Sequence, residues 1–224
     1  MTILNGALEG VELTKKRTEL MKLYGRYLSP FVRRVAVSLN IMQTPFEQVV
    51  VAPFDEWEKA QSINPVVRIP ALEIDNGEVI IDSTAILDHL DEVAGANSLL
   101  PQRGQPRREA MKLVATAVGA MEKTVSAVYE GRFHAPEKIE ASWVERCENQ
   151  ALSALKALDV VASKTNGDGW LYGDKISQAD ISAVVALTFA NIARPQMNAS
   201  DQVPNLSKLA ARLEATEAFQ STMP

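Results

Sequence analysis

Hydrophobic positions in the first half of the chain alternate between short apolar runs and helical stripes, and that alternation predicts the elements. The stretch Met21 to Met42, MKLYGRYLSPFVRRVAVSLNIM, holds a short apolar run broken at Gly25 and then a helix starting at Ser29-Pro30. Pro30 suits the first helical position, where its missing N–H is no loss. Val32, Val35, Ala36 and Leu39 fall at i, i+3, i+4 and i+7, a single apolar stripe with which the helix packs on a sheet. Arg33, Arg34 and Ser38 point away from it. Phe46 to Val51 is rich in aromatic and β-branched residues and reads as a second strand, parallel to the first across the helix.

Pro53 ends that run, and Phe54 to Ala60 reads as an irregular or short helical surface segment closing at the Asn64-Pro65 turn. Two apolar runs, Val66 to Ile74 and Glu78 to Ile81, flank Asn76-Gly77, a strong hairpin signal, so the third and fourth strands are expected to be antiparallel. Pro70 opens the third, where a lost N–H is tolerated. Asp82 to Gly95 is a helix with Ile86, Leu87, Leu90 and Ala94 on one face and Gly95 at C′. Ser83 stands at its start directly after a strand, as Ser29 does in the first helix.

From Leu99 to Pro106 the composition turns to proline, glycine and charge, which marks a linker. The remainder reads as helical, with long patterns over 107–133 and 142–164, and a third over 179–193 that is apolar on most sides and so buried. Ser177 at N-cap, Asp180 at N3 and the pair Ile176 and Ile181 spell a capping box with a hydrophobic staple. That is a folding signal.

Composition narrows the function. The chain has 224 residues, 46% of them hydrophobic, enough for one large or two small domains with a sizeable core. A net charge of -5 and a pI near 5.2 argue against nucleic-acid or anionic-membrane partners. No apolar run reaches the roughly 18 residues a membrane span needs. Residues 1–20 lack the basic start and apolar core of a signal peptide and are expected to be an N-terminal extension or appended segment. The single cysteine, Cys147, excludes an intrachain disulfide and a CxxC pair, and reads as a small packed helix residue. With only His89 and His134, a histidine-based metal site lacks ligands and no metal is assigned. His89 reads as a plain helix residue.

Ser29 carries the first chemical candidate. Its hydroxyl is either a simple N-cap or, with the helix dipole, a group facing a ligand anion such as a thiolate, and the two roles are compatible.

The element order, together with Ser29-Pro30-Phe31, Arg68-Ile69-Pro70, Asp82-Ser83 and Ser177-Gln178-Ala179-Asp180, resembles the glutathione S-transferase family from Met21 almost to the C-terminus, and a serine-type bacterial or plant-like member with an SPF motif in particular. The resemblance implies an α/β plus all-α fold: a thioredoxin-like N-terminal domain over 21–97 and an all-helical C-terminal domain over 107–224. It implies glutathione as co-substrate and Ser29 as the group that stabilises its thiolate, with Tyr27 as the alternative donor. A thiol with a reference pKa near 8.5 is mostly protonated at neutral pH, so a donor and a helix N-terminus at the sulfur serve to favour the charged form.

The resemblance further implies that Pro70 is cis, although only about 5–6% of X–Pro bonds are. In that reading Arg68, Ile69 and Pro70 form a glutathione-binding loop whose Ile69 backbone pairs with the cysteinyl unit like an added strand. Asp82 and Ser83 hold the γ-glutamyl end, hydroxyl and helix amides taking its carboxylate and Asp82 its ammonium. Between Pro53 and Asn64 no basic residue matches one that would bind the glycyl carboxylate. The absence of cysteine at position 29 argues against thiol-transferase chemistry. Tyr27, Tyr129 and Phe133 are expected to line the pocket for a hydrophobic electrophile, although aromatics at helical spacing also suit a core. A cytoplasmic homodimer conjugating glutathione to such an electrophile is the expectation; the alternatives are a glutathione-dependent isomerase, peroxidase or lyase on the same site, or a non-catalytic binding module.

Overall fold

The computed structural model describes residues 20–165 and 168–224. The extension expected over 1–20 therefore lies, but for Leu20, outside the described residues. The chain opens with β1 (Met21–Tyr24), α1 (Pro30–Ile41) and β2 (Phe46–Val49), followed by α2 (Trp57–Ile63), the hairpin β3 (Ala71–Glu73) and β4 (Val79–Ile80), and α3 (Ser83–Val93). The sheet order is β2-β1-β3-β4. β1 and β2 run parallel with Met21 opposite Phe46, while β3 is antiparallel to both β1 and β4, with Leu72 opposite Leu23 and Ile80. This is the strand, helix, strand, hairpin, helix order expected of a thioredoxin-like unit.

Helices make the rest: α4 (Gly104–Phe133), α5 (Ala141–Ala162), α6 (Gln178–Ala193), the short α7 (Ala199–Gln202), α8 (Pro204–Glu214) and α9 (Glu217–Gln220). α4 begins three residues earlier than the sequence suggested. Gly104 takes φ +77° and Pro106 falls in the first turn, where its lack of an N–H costs nothing. α6 is buried along most of its length, as its all-round apolarity predicts. Its N-terminus carries the expected capping box, with the Asp180 carboxylate accepting from the Ser177 amide (2.9 Å) and hydroxyl (2.6 Å) and also from the Leu171 amide (2.7 Å). Burial outweighs these bonds and raises the Asp180 pKa.

Two features go beyond the sequence reading. The first concerns α1, in which every residue from Pro30 to Leu39 is buried, Arg33, Arg34 and Ser38 included. The helix packs against β1, α3, α6 and α9, so the positions off the apolar stripe face protein rather than water. Ser38 donates to the Arg34 carbonyl (2.7 Å) and to Gln178 of α6 (2.9 Å). The second concerns the third strand, which is limited to three residues: Val67 sits in the left-handed region at φ +55° and the Ile69–Pro70 bond is cis, so 66–70 is a loop.

Gly25 makes the corner between β1 and α1. Its φ is +131°, and a Cβ there would come 2.6 Å from Val32 Cγ2. Leu23, Val32 and Leu72 beneath this corner belong to the same hydrophobic cluster as Leu155, Ile181 and Leu206 of the helical half. Each such fully buried aliphatic side chain contributes roughly 1.5–3 kcal/mol. Cys147 is packed in α5, with its thiol pKa pushed up by burial. Among the described residues no helix is long and apolar enough to cross a membrane.

Candidate functional site

The loop 66–70 and the start of α3 meet over the buried face of Phe31 to form a cavity of about 210 Å³. Its walls include Arg68, Ile69, Pro70, Asp82 and Ser83, the five residues predicted to bind the peptide, along with Asn64, Glu122 and Val118. Local chemistry explains the loop. Asn64 donates through Nδ2 to the Arg68 carbonyl (2.7 Å) and accepts at Oδ1 from the Val66 amide (2.9 Å), tying both ends of the turn before the cis bond. Among the described residues neither the N–H nor the carbonyl of Ile69 pairs with another protein group, so both are available to an extended ligand.

The far wall is the start of α3. Asp82 is the N-cap, its Oδ1 accepting from the amides of Thr84 (2.8 Å) and Ala85 (3.4 Å). This modifies the sequence reading, in which the helix amides themselves take a ligand carboxylate: Asp82 already occupies two of them. Ser83 is the first helical residue, not a second cap like Ser29, and its hydroxyl accepts from Arg34 Nε (3.1 Å) and Nη2 (2.8 Å). Arg34 was invisible as a site residue because it lies 49 positions away on α1.

Ser29 caps α1 with extended backbone (φ −72°, ψ 121°). The bond its Oγ accepts from the Val32 amide is 3.5 Å long, at the limit of a hydrogen bond, and among the described residues the hydroxyl donates to no protein group. Tyr27 is half-buried against the core, and burial raises its phenol pKa. Neither residue lines the cavity, although Phe31, two positions after Ser29, does.

Tyr129 and Phe133 near the end of α4 are not core: they are 42% and 52% exposed. They stack edge-on with each other and with Phe54 of the loop after β2, at centroid separations of 4.9–5.4 Å. Arg132 lies over the Phe54 ring at 5.1 Å. The cluster is close to the cavity: Arg68, which pairs with Glu122 at 3.4 Å, and Glu122 itself both act on the Tyr129 phenol, whose pKa burial raises. The sequence reading placed Phe54 in a surface segment rather than in the site; the hint was an aromatic directly after Pro53 in a largely charged segment. A larger recess along α5, lined by residues such as Ser142, Arg146 and Asn149, contains none of these groups.

Comparison with known proteins agrees with this geometry. Residues 23–98 match the glutathione S-transferase N-terminal domain and residues 111–217 the glutathione S-transferase C-terminal domain. The chain is 28% identical over 206 residues to the uncharacterised GST-like protein YibF of Escherichia coli, covering 91% of this chain and 98% of that one. It is 28% identical to the maleylacetoacetate isomerase of Pseudomonas aeruginosa, covering 91% and 96%. Its fold superposes with a TM-score of 0.84 on a glutathione S-transferase of Methylobacillus flagellatus crystallised with glutathione, at 26% identity and with 91% and 99% of the two chains covered. A sheet-bearing half that holds the cavity, a helical half that closes it and domain matches over most of the length lead to one conclusion: the chain belongs to the glutathione S-transferase family.

Proposed function

We propose that the protein is a glutathione-dependent transferase in which the cavity holds the tripeptide, Ser29 stabilises its thiolate and the Phe54, Tyr129 and Phe133 cluster receives a largely apolar electrophile. The observation that carries this reading is the convergence of Arg68, Ile69, Pro70, Asp82 and Ser83 on one cavity from two separate segments. The free N–H and carbonyl of Ile69 suit the main chain of an extended peptide. The Ser29 hydroxyl, loosely held and at the N-terminus of a buried helix, suits an anion. In conjugation the thiolate sulfur forms a bond to the electrophilic carbon while the leaving group departs with its electron pair, or while a proton is added to the carbon chain of an activated alkene.

A second reading is supported by the relationship to the maleylacetoacetate isomerases. There the same thiolate would add to a conjugated cis double bond, the resulting single bond would rotate, and expulsion of the thiolate would restore the double bond as trans with no net change in atoms.

Titrating the purified protein with glutathione by calorimetry, then supplying an aromatic electrophile or maleylacetoacetate, separates these readings. Consumption of glutathione in step with the electrophile supports conjugation. Turnover with glutathione unconsumed supports isomerisation. Failure to bind glutathione contradicts both and leaves the binding-module alternative.

A further inference from the structure

Helix α1 carries two adjacent buried arginines, each 1% exposed, whose charges are handled differently. Arg33 is neutralised within the protein, its guanidinium gripping both oxygens of Glu214. Arg34 has no carboxylate within ion-pair distance among the described residues; Asp82 and Glu122 act on it only from further away. It uses Nε and Nη2 on the Ser83 hydroxyl and Nη2 also on Thr84 Oγ1 (3.0 Å), and among the described residues its Nη1 has no partner. Burial pulls the Arg34 pKa down to about 10, the direction expected of a cation lacking a close counter-charge.

The consequence lies in Ser83. A hydroxyl has two lone pairs and one proton. Both acceptor positions of Ser83 point at the same guanidinium, so the hydroxyl can act toward the cavity only as a donor. Among the described residues it has no acceptor. Donation from a cation into the oxygen also strengthens the O–H as a donor. The neighbouring Thr84 and Ala85 amides are already taken by Asp82, which leaves the Ser83 hydroxyl, with the Thr84 hydroxyl held by the same guanidinium beside it, as side-chain donors at this wall backed by a buried positive charge.

We propose that Arg34 is a positioning residue for the tripeptide: it fixes Ser83 as a donor and supplies the unbalanced charge that selects a carboxylate there, the α-carboxylate of the γ-glutamyl unit. This rests on the glutathione reading above. It assigns to α1 both ends of the ligand, the thiolate at Ser29 and, through Ser83, the γ-glutamyl carboxylate five residues further along the helix at Arg34.

The test compares glutathione with its analogue lacking only that carboxylate, 4-aminobutyryl-cysteinyl-glycine, by calorimetry on the parent protein, Arg34→Met, Arg34→Lys and Ser83→Ala. The parent is expected to prefer glutathione by about tenfold to a hundredfold, the worth of a hydrogen bond to a charged group. Arg34→Met and Ser83→Ala should each erase most of that preference by weakening glutathione alone, with Arg34→Lys retaining part of it. Should Arg34→Met not fold, Ser83→Ala and Arg34→Lys still give the comparison. Equal loss for both ligands in the variants, as a merely structural role would give, overturns the proposal. So does a parent that binds glutathione and the analogue equally well, in which case the glutathione reading stands without it. A parent that binds neither ligand removes both.

Discussion

The Arg33 guanidinium of α1 holds the Glu214 carboxylate at the end of α8 in a fork, Nη1 to Oε1 at 2.8 Å and Nη2 to Oε2 at 2.5 Å, across 181 positions of sequence. The pair joins the sheet-bearing half to the helical half, and Arg33 Nε also donates to the Thr222 carbonyl near the C-terminus. Removing the carboxylate would strand a fully buried cation and take a partner from Thr188, which donates to Glu214 at 2.6 Å. Glu214→Ala is expected to cost about 3–5 kcal/mol in urea unfolding. A loss below about 1 kcal/mol would mean that the pair does not link the two halves.

Val67 offers a change in the opposite direction. A β-branched residue at φ +55° occupies a backbone region costing about 1–2 kcal/mol for most side chains and much less for asparagine. Val67→Asn should raise stability by about 1 kcal/mol, read as an increase of about 2–4 °C in melting temperature. An unchanged or lower melting temperature would show that Val67 packing offsets the backbone cost.

A pH-dependent term resides in the sheet. Lys22 and Tyr24 both donate to the Glu73 carboxylate. The Lys22 bond, then the Tyr24 bond, hold the Glu73 pKa below the usual range, while burial and then Glu73 raise that of Tyr24. A depressed carboxylate contributes stability that is present above its unfolded pKa of about 4.3 and lost as pH falls through the folded value. A raised phenol contributes stability present below its unfolded pKa of about 10 and lost as pH rises through the folded value. The stability difference between parent and Glu73→Gln should therefore be level across neutral pH and shrink in acid below about pH 4. A difference independent of pH in that range would count against the network.

How far the sequence spoke depends on the range of each interaction. The α6 cap was legible because Ser177 and Asp180 are three residues apart and their types determine the bonds. The hairpin at Asn76-Gly77 was legible for the same reason. Burial of Arg33, Arg34 and Ser38 was not, since periodicity identifies the strongest apolar face of a helix and says nothing about a second face: Ser83 and Thr84, the partners of Arg34, lie about 50 positions later, and those of Arg33 and Ser38 some 140 to 190. Those partners, Gln178, Glu214 and Thr222, carry no local signal that marks them. The cis bond at Pro70 followed from family resemblance alone. At the site, the five cavity residues came from motifs; Arg34 and Phe54 emerged only from tertiary contacts.

Phe54 supplies a prediction for the electrophile side. Its ring completes the edge-on trio with Tyr129 and Phe133, and aromatic pairs of this kind are worth about 0.5–1.5 kcal/mol. Phe54→Ala should raise KM for an aromatic electrophile by roughly twofold to tenfold while leaving glutathione affinity unchanged. Loss of glutathione affinity instead would move Phe54 to the peptide-binding side.

The central claim is that Ser29 stabilises a thiolate, and the most direct measurement is the thiol pKa of bound glutathione, followed by ultraviolet thiolate absorbance against pH in the parent and in Ser29→Ala. The account predicts a pKa below the free-thiol value of about 8.5 in the parent, and a return upward by about one to two units in a variant that still binds glutathione. An unchanged thiol pKa in Ser29→Ala, with binding intact, would contradict it and shift the donor role to Tyr27.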